Sequence, residues 1–175
     1  MTSHDTTGKA RHQDELIAWG TFEASGLGTL WLAWTERGLL RLAYEPFDDI
    51  VADPGTVPPV YADALERYFR AEPEDFAEVP LDLRGTDFQL RVWSALREIP
   101  WGQVRTYGGI ATLIQSPRAM RAVGQANHVN PVPIVVPCHR VVEAGHQLGG
   151  YGGGVDRKRL LLELEGCLLY TSPSP

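Results

Sequence analysis

The sequence predicts an α/β N-terminal domain joined to a mainly α C-terminal domain. Three observations carry this: short apolar segments separated by glycine fill the first half, capped helix-periodic segments fill the second, and the pattern changes at Gly85. With 175 residues, 43% hydrophobic and 22% charged, the chain can bury a core as one ordinary domain or two small ones sharing an interface.

Residues 1–14, rich in Thr, Ser, Asp and His, read as a disordered leader ahead of an N-terminal domain over 15–83. Segments 16–22, 28–34 and 38–44 mix aromatic and aliphatic residues and are punctuated by Gly26, Gly28 and Gly38, the pattern of a strand meander. Pro46, Pro54, Pro58 and Pro59, together with several acids, make 45–59 a loop. Leu65, Tyr68 and Phe69 fall at helical spacing within 61–70, and 79–83 reads as a further strand.

The C-terminal domain is expected over 84–166. Thr86 is placed to cap a helix whose apolar face is Phe88, Val92, Trp93 and Leu96 and which stops near Pro100. After a turn at Trp101 and Gly102, Thr106 is placed to cap a second helix carrying Tyr107, Ile110, Ala111 and Ile114. Ser116 followed by Pro117 predicts the start of a third, with Met120, Val123 and Ala126 on one face and Arg118, Arg121 and Gln125 on another. Two short helices across a tight break resemble a helix-turn-helix of winged-helix-like form. Pro131 and Pro133 end it, and the apolar segment 134–136 leads into Pro137, Cys138, His139 and Arg140. Residues 141–150 read as a hairpin turning at Gly145, and five glycines surround Tyr151 in a flexible loop over 149–154. The last helix is expected over 155–165 with Leu160, Leu161 and Leu164 inward, and 167–175 reads as a non-native tail without periodicity.

Composition narrows the function. No apolar run approaches the roughly 18 residues that cross a bilayer, and the polar N-terminus lacks a secretory pattern, so a cytoplasmic protein with no membrane partner is expected. Two cysteines, Cys138 and Cys167, cannot form a disulfide framework or a thiolate-rich zinc site. The five histidines show no i, i+4 pair, so no metal is expected. The net charge of −6 is unevenly spread: residues 84–166 hold ten Lys or Arg against six Asp or Glu, a net of +4, and the remainder is acidic. The C-terminal half therefore suits a polyanion, whatever the total charge.

Cys138 is the residue with the most chemistry in reach. Its neighbours His139 and Arg140 are of the kind that stabilises thiolate, the nucleophilic form. Local composition equally allows a small core cysteine. The run Ile134-Val135-Val136-Pro137-Cys138-His139-Arg140-Val141-Val142 resembles the signature of the O6-alkylguanine-DNA alkyltransferases, the methylated-DNA–protein-cysteine methyltransferases. Gly85 to Gln89, Val92 to Leu96, Ile99 to Gly102, Thr106 with Tyr107, Arg121 to Gly124, Asn130 with Pro131, and Leu162 to Gly166 resemble family segments in the same order and spacing.

The resemblance implies a cofactor-free, single-turnover transfer of an alkyl group from guanine O6 in double-stranded DNA to Cys138, with O4-alkylthymine open as a second substrate. It implies that His139 is the base, through a water, and that Glu165 orients the imidazole, a nucleophile–base–orienter arrangement. It assigns Tyr107 to the departing guanine and the DNA backbone, and Arg121 to the gap left by a flipped nucleotide, on a helix face shared with Gln125. Asn130 would brace the turn before Cys138. Val141, Tyr151, Gly152 and Asn130 would line the base pocket. This chain has Gly152 where some members carry a small hydroxyl residue, and His128 has no assigned counterpart. Read alone, Tyr107 suits an aromatic joining two helices, Arg121 and Glu165 solvated surface charges, and the glycine loop a mobile connector. A monomer is expected.

Three other classes compete. A helix-turn-helix transcription factor leaves the Pro-Cys-His-Arg segment unexplained. Non-enzymatic alkyltransferase-like lesion binders lack the nucleophilic cysteine that Cys138 supplies here. A cysteine hydrolase lacks the rest of its sequence context.

Overall fold

The computed structural model describes residues 15–167, so the leader expected at 1–14 and all of the expected tail except Cys167 lie outside the described residues. The predicted meander is present as β1 (Ala18–Ala24), β2 (Gly28–Thr35) and β3 (Gly38–Ala43), an antiparallel sheet in that order. Leu30, Leu32 and Leu39 from this sheet are buried with Ala64, Leu65 and Tyr68 of α1 (Pro59–Phe69). The helix begins within the expected loop because Pro59 stands at its first position, where a proline costs no hydrogen bond.

The strand expected at 79–83 is reduced to one bridge between Leu39 and Leu81. Leu39 N–H donates to Pro80 O at 2.8 Å and Asp82 N–H to Leu39 O at 2.9 Å. Pro80 has no N–H to extend a ladder, and the Asp82 carboxylate turns to the Thr35 hydroxyl at 2.7 Å. A Cβ on Gly38, whose φ is +146°, would lie 2.5 Å from the Pro80 backbone, so this approach requires glycine.

The second half follows its local signals closely at two helix starts. Thr86 and Gln89 form a reciprocal capping box on α2 (Asp87–Arg97), and the Thr106 hydroxyl accepts from Gly109 N–H at 3.0 Å to cap α3 (Tyr107–Leu113). At the third, Ser116 is not an N-cap. Its N–H donates to Ala111 O at 2.8 Å, closing α3 over Gln115 in the left-handed region, and α4 (Met120–His128) begins after a further turn. Val123 and Ala126 of α4 are buried as expected, but Met120, at the helix start, is exposed.

The apolar segment before Cys138 takes a definite shape, and two further expectations, the 141–150 hairpin and the inward leucines of the last helix, are corrected. The 134–136 segment is a tight turn, with Ile134 at φ +75° and Val136 N–H bonded to Val132 O at 2.9 Å. It leads into a 3-10 turn, Cys138–Arg140. The hairpin after it is not extended into paired strands: β5 (Val141–Val142) pairs in parallel with β4 (Arg105–Thr106), and the Gly145 turn is closed by Glu143 N–H to Gln147 O at 2.9 Å and His146 N–H to Glu143 O at 3.1 Å. On α5 (Val155–Leu164) the inward residues are Lys158, Leu161 and Leu162, while Leu160 and Leu164 are only partly covered.

One apolar cluster runs through both halves, from Leu30, Leu39 and Tyr68 to Trp93, Ile110, Val136 and Leu161. The architecture is mixed α/β, with a small antiparallel sheet and helices. Among the described residues no helix is long and apolar enough to cross a membrane.

Candidate active site

Cys138 is held by the turn before it. Asn130 Nδ2 donates to Val136 O at 2.8 Å, and Asn130 Oδ1 accepts from Val132 N–H at 3.1 Å. These bonds clamp a segment that contains Ile134, a β-branched residue at positive φ and so a conformation that needs outside support. The clamped turn delivers Cys138 N–H to Val136 O at 2.8 Å and leaves its side chain 5% exposed.

Burial decides the state of the thiol. It pushes the Cys138 pKa up to about 11, against smaller lowering contributions from Asn130 and the Lys158 ammonium. The expectation that His139 and Arg140 hold Cys138 as thiolate is therefore corrected. Arg140 is committed elsewhere: its Nε and Nη2 donate to Glu165 at 2.9 and 3.0 Å, and its Nη1 to Ile99 O at 2.6 Å. The resting thiol is protonated at neutral pH and needs a base.

An imidazole stands next in sequence. His139 is fully buried, and its Nε2 lies 2.7 Å from Glu165 Oε1. Burial lowers the His139 pKa, outweighing the pull of Glu165. Burial alone would raise Glu165, but hydrogen bonds from His139 and Arg140 outweigh it and hold the carboxyl at about 2. An ionised Glu165 beside a neutral imidazole puts the imidazole proton on Nε2 and leaves the Nδ1 lone pair free. His139 Nδ1 is buried and has no hydrogen-bond partner among the described residues. Glu165 itself is placed by the end of α5, which closes at Gly166 (φ +75°) with Cys167 N–H bonded to Leu162 O at 2.8 Å.

Cys138 lines a cavity of about 340 Å³ with Tyr107, Asn127, His128, Tyr151 and Gly152. A larger hollow of about 610 Å³ beside α1 contains none of the predicted residues. Tyr107 and Gly124 are shared with an adjoining apolar groove that includes Arg121 and Met120, so the cavity and the α4 face are continuous. Arg121 and Gln125 are exposed on that helix. Two predicted pocket residues do not line the cavity: Asn130 braces the turn, and Val141 O accepts from Lys158 Nζ at 2.6 Å.

Sequence reasoning passed over several residues. Lys158 is buried, bonds Val141 O and Gly150 O, and is lowered by burial to about 8; its signal was a lysine in register with Leu161 and Leu162. Asn127 lines the cavity with a buried, unpartnered Oδ1. Tyr68 donates to Glu165 at 2.7 Å, and Tyr44 shares a 2.6 Å hydrogen bond with Tyr151; both come from the N-terminal half, and no local pattern marks them.

Residues 87–167 match the family model described as 6-O-methylguanine DNA methyltransferase, DNA binding domain. The methylated-DNA–protein-cysteine methyltransferase of Mycobacterium tuberculosis is 53% identical over 132 residues, 75% of this chain and 79% of the relative. That of Mycolicibacterium paratuberculosis is 47% identical over 146 residues, 81% of this chain and 88% of the relative. Among solved structures, M. tuberculosis OGT in complex with DNA aligns with a TM-score of 0.76 at 47% identity, covering 85% of this chain and 93% of that one. The O6-methylguanine-DNA methyltransferase of Pyrococcus kodakaraensis aligns with a TM-score of 0.60 at 26% identity, covering 86% and 99%. At these identities and coverages the chain belongs to the methylated-DNA–protein-cysteine methyltransferase family.

Proposed function

We propose that this chain repairs alkylated DNA by transferring an alkyl group from guanine O6 to its own Cys138, once per molecule and without a cofactor. The observation that carries the reading is a buried, protonated thiol in a cavity wall, followed directly in sequence by a neutral histidine whose Nδ1 has no partner among the described residues. Cys138 Sγ attacks the alkyl carbon, the S–C bond forms as the C–O6 bond breaks, and the electron pair leaves with guanine. The thiol proton passes to His139 Nδ1 through a water, and Glu165 stabilises the resulting imidazolium. Tyr107, half-buried in the cavity wall, donates a hydrogen bond to the departing base. Reaching the lesion requires flipping, and exposed Arg121, with Gln125 on the same helix, meets the duplex through a winged-helix-like α3–α4 unit.

The protein is read as a cytoplasmic monomer whose parts, 15–83 and 84–166, act as N-terminal and DNA-binding domains. The cavity wall at Gly152 offers only backbone to the lesion oxygen, and the neighbouring His128 supplies the nearest imidazole, 4.0 Å from the position of a Cβ at 152. The test is the intact mass after incubation with a duplex holding one O6-methylguanine. A gain of one methyl on Cys138, absent in Cys138→Ala, is expected; no gain overturns the reading. Arg121→Ala is expected to slow repair in duplex about tenfold or more while sparing reaction with the free base. Equal losses would remove the flipping role.

A further inference from the structure

We propose that Tyr68, carried by α1 in the N-terminal half, is a positioning residue of the transfer site, whose hydroxyl shares Glu165 with His139 and so sets the pH at which His139 acts as a base. The proposal rests on the reading of His139 and Glu165 given above.

Tyr68 is fully buried, and three aromatic rings fix its own. Phe69 and Trp101 meet it edge-on, with centroids 5.1 and 5.2 Å away, and Phe76 lies tilted at 5.5 Å. The ring cannot turn without displacing them, so the hydroxyl is aimed by packing. It donates to Glu165 Oε1 at 2.7 Å and lies 3.3 Å from His139 Nε2. The same Oε1 faces His139 Nε2 at 2.7 Å. Three donors therefore share one oxygen, Tyr68 from the N-terminal half and His139 and Arg140 from the C-terminal half.

The charged and titratable groups around this point are few. Glu165 and Lys158 come from α5 and the residue that ends it, Arg140 and Cys138 from the 3-10 turn, Tyr44 from just after β3, and Tyr151 from the 149–154 loop. Arg140 is permanently charged and already bonds both carboxylate oxygens. Burial and the Glu165 charge raise the Tyr68 phenol far above its usual range, so it remains a donor wherever the protein works. A neutral donor on Oε1 draws off part of the negative charge that would otherwise favour imidazolium. Removing the hydroxyl leaves Oε1 to His139 and the already charged Arg140, returns negative charge to the oxygen that faces the imidazole, stabilises the imidazolium, and takes the base away at a higher pH.

The experiment measures single-turnover alkylation of Cys138 from an O6-methylguanine duplex between pH 5 and 9, for the wild type and Tyr68→Phe. The titration of His139 is followed by NMR in the same proteins. Tyr68→Phe is expected to move the acid limb and the His139 titration up by about 0.5–1 pH unit, a three- to tenfold loss of rate on the acid side. In a Glu165→Gln background the same substitution is expected to add no shift. Tyr68→Leu, which also lacks the hydroxyl, serves if Tyr68→Phe does not fold. An unmoved limb with an unmoved His139 titration in Tyr68→Phe overturns the proposal, as does an undiminished shift from Tyr68→Phe in the Glu165→Gln background. If the wild type does not alkylate Cys138, the functional reading falls, and the NMR titration alone decides whether Tyr68 governs His139.

Discussion

A carboxylate at the position of Glu165, 4% exposed, survives burial because Tyr68, His139 and Arg140 all bond it. An unmatched buried charge costs several kcal/mol, so Glu165→Ala, which strands Arg140, should destabilise the fold by about 3–5 kcal/mol in urea unfolding. The same groups fix the response to acid. Glu165 falls from an ordinary 4.5 to about 2 on folding, so it contributes stability above pH 4.5 that is lost as the pH drops toward 2, on the order of 3 kcal/mol. His139 is also depressed below its ordinary 6.5, so its contribution is complete above 6.5 and declines below it. Unfolding midpoints are therefore expected to fall in two stages, and His139→Gln should abolish the first. A flat profile down to pH 5 in the wild type would mean that the imidazole is not buried neutral.

At the level of elements, the loop over 149–154 is fastened to the sheet rather than free. Tyr44 and Tyr151 share a 2.6 Å bond, and the Arg157 guanidinium lies 4.6 Å over the Tyr44 ring while donating to Gly153 O at 3.0 Å. A Cβ at Gly153 would lie 2.4 Å from Tyr44 Cε2 and 2.8 Å from Tyr151 Cε1. Gly153→Ala should part the two rings, cost about 1–3 kcal/mol in thermal unfolding, and slow alkyl transfer through a displaced Tyr151. Transfer at the wild-type rate would show that the loop's hold on Tyr44 does not matter. The features legible in the sequence are those with local causes: the Thr86–Gln89 box, the Thr106 cap and the three strands of the meander. Those that were not legible were settled by competing partners, one local and two distant. Ser116 closes α3 on Ala111 five residues back, while β5 was drawn to β4 and the 79–83 segment to one bond pair with Leu39. Cys138, His139 and Glu165 were placed by a family signature, whereas Tyr44, Tyr68 and Lys158 reach the site only through the tertiary fold.

For the molecule as a whole, the two halves divide charge but not core. The positive balance of residues 84–166 suits a phosphate backbone, and binding to duplex should weaken steeply with salt. The apolar cluster, in contrast, is continuous from Leu30 to Leu161, and Tyr68 inserts from the first half into the hydrogen bonds of the second. Unfolding is therefore expected to be a single cooperative transition, with far-ultraviolet circular dichroism and tryptophan fluorescence coinciding. Two separated transitions would mean that the halves are stable independently of one another.

The depth at which Cys138 is held also governs its fate while no lesion is bound. With its pKa near 11, about one thiol in ten thousand is ionised at pH 7. Peroxides and stray electrophiles attack the ionised form, so oxidation to sulfenic acid is slowed by the same factor that makes a base necessary. If Cys138 is the single-use acceptor proposed above, the same burial that makes it need a base also slows its loss to oxidants before DNA brings its substrate.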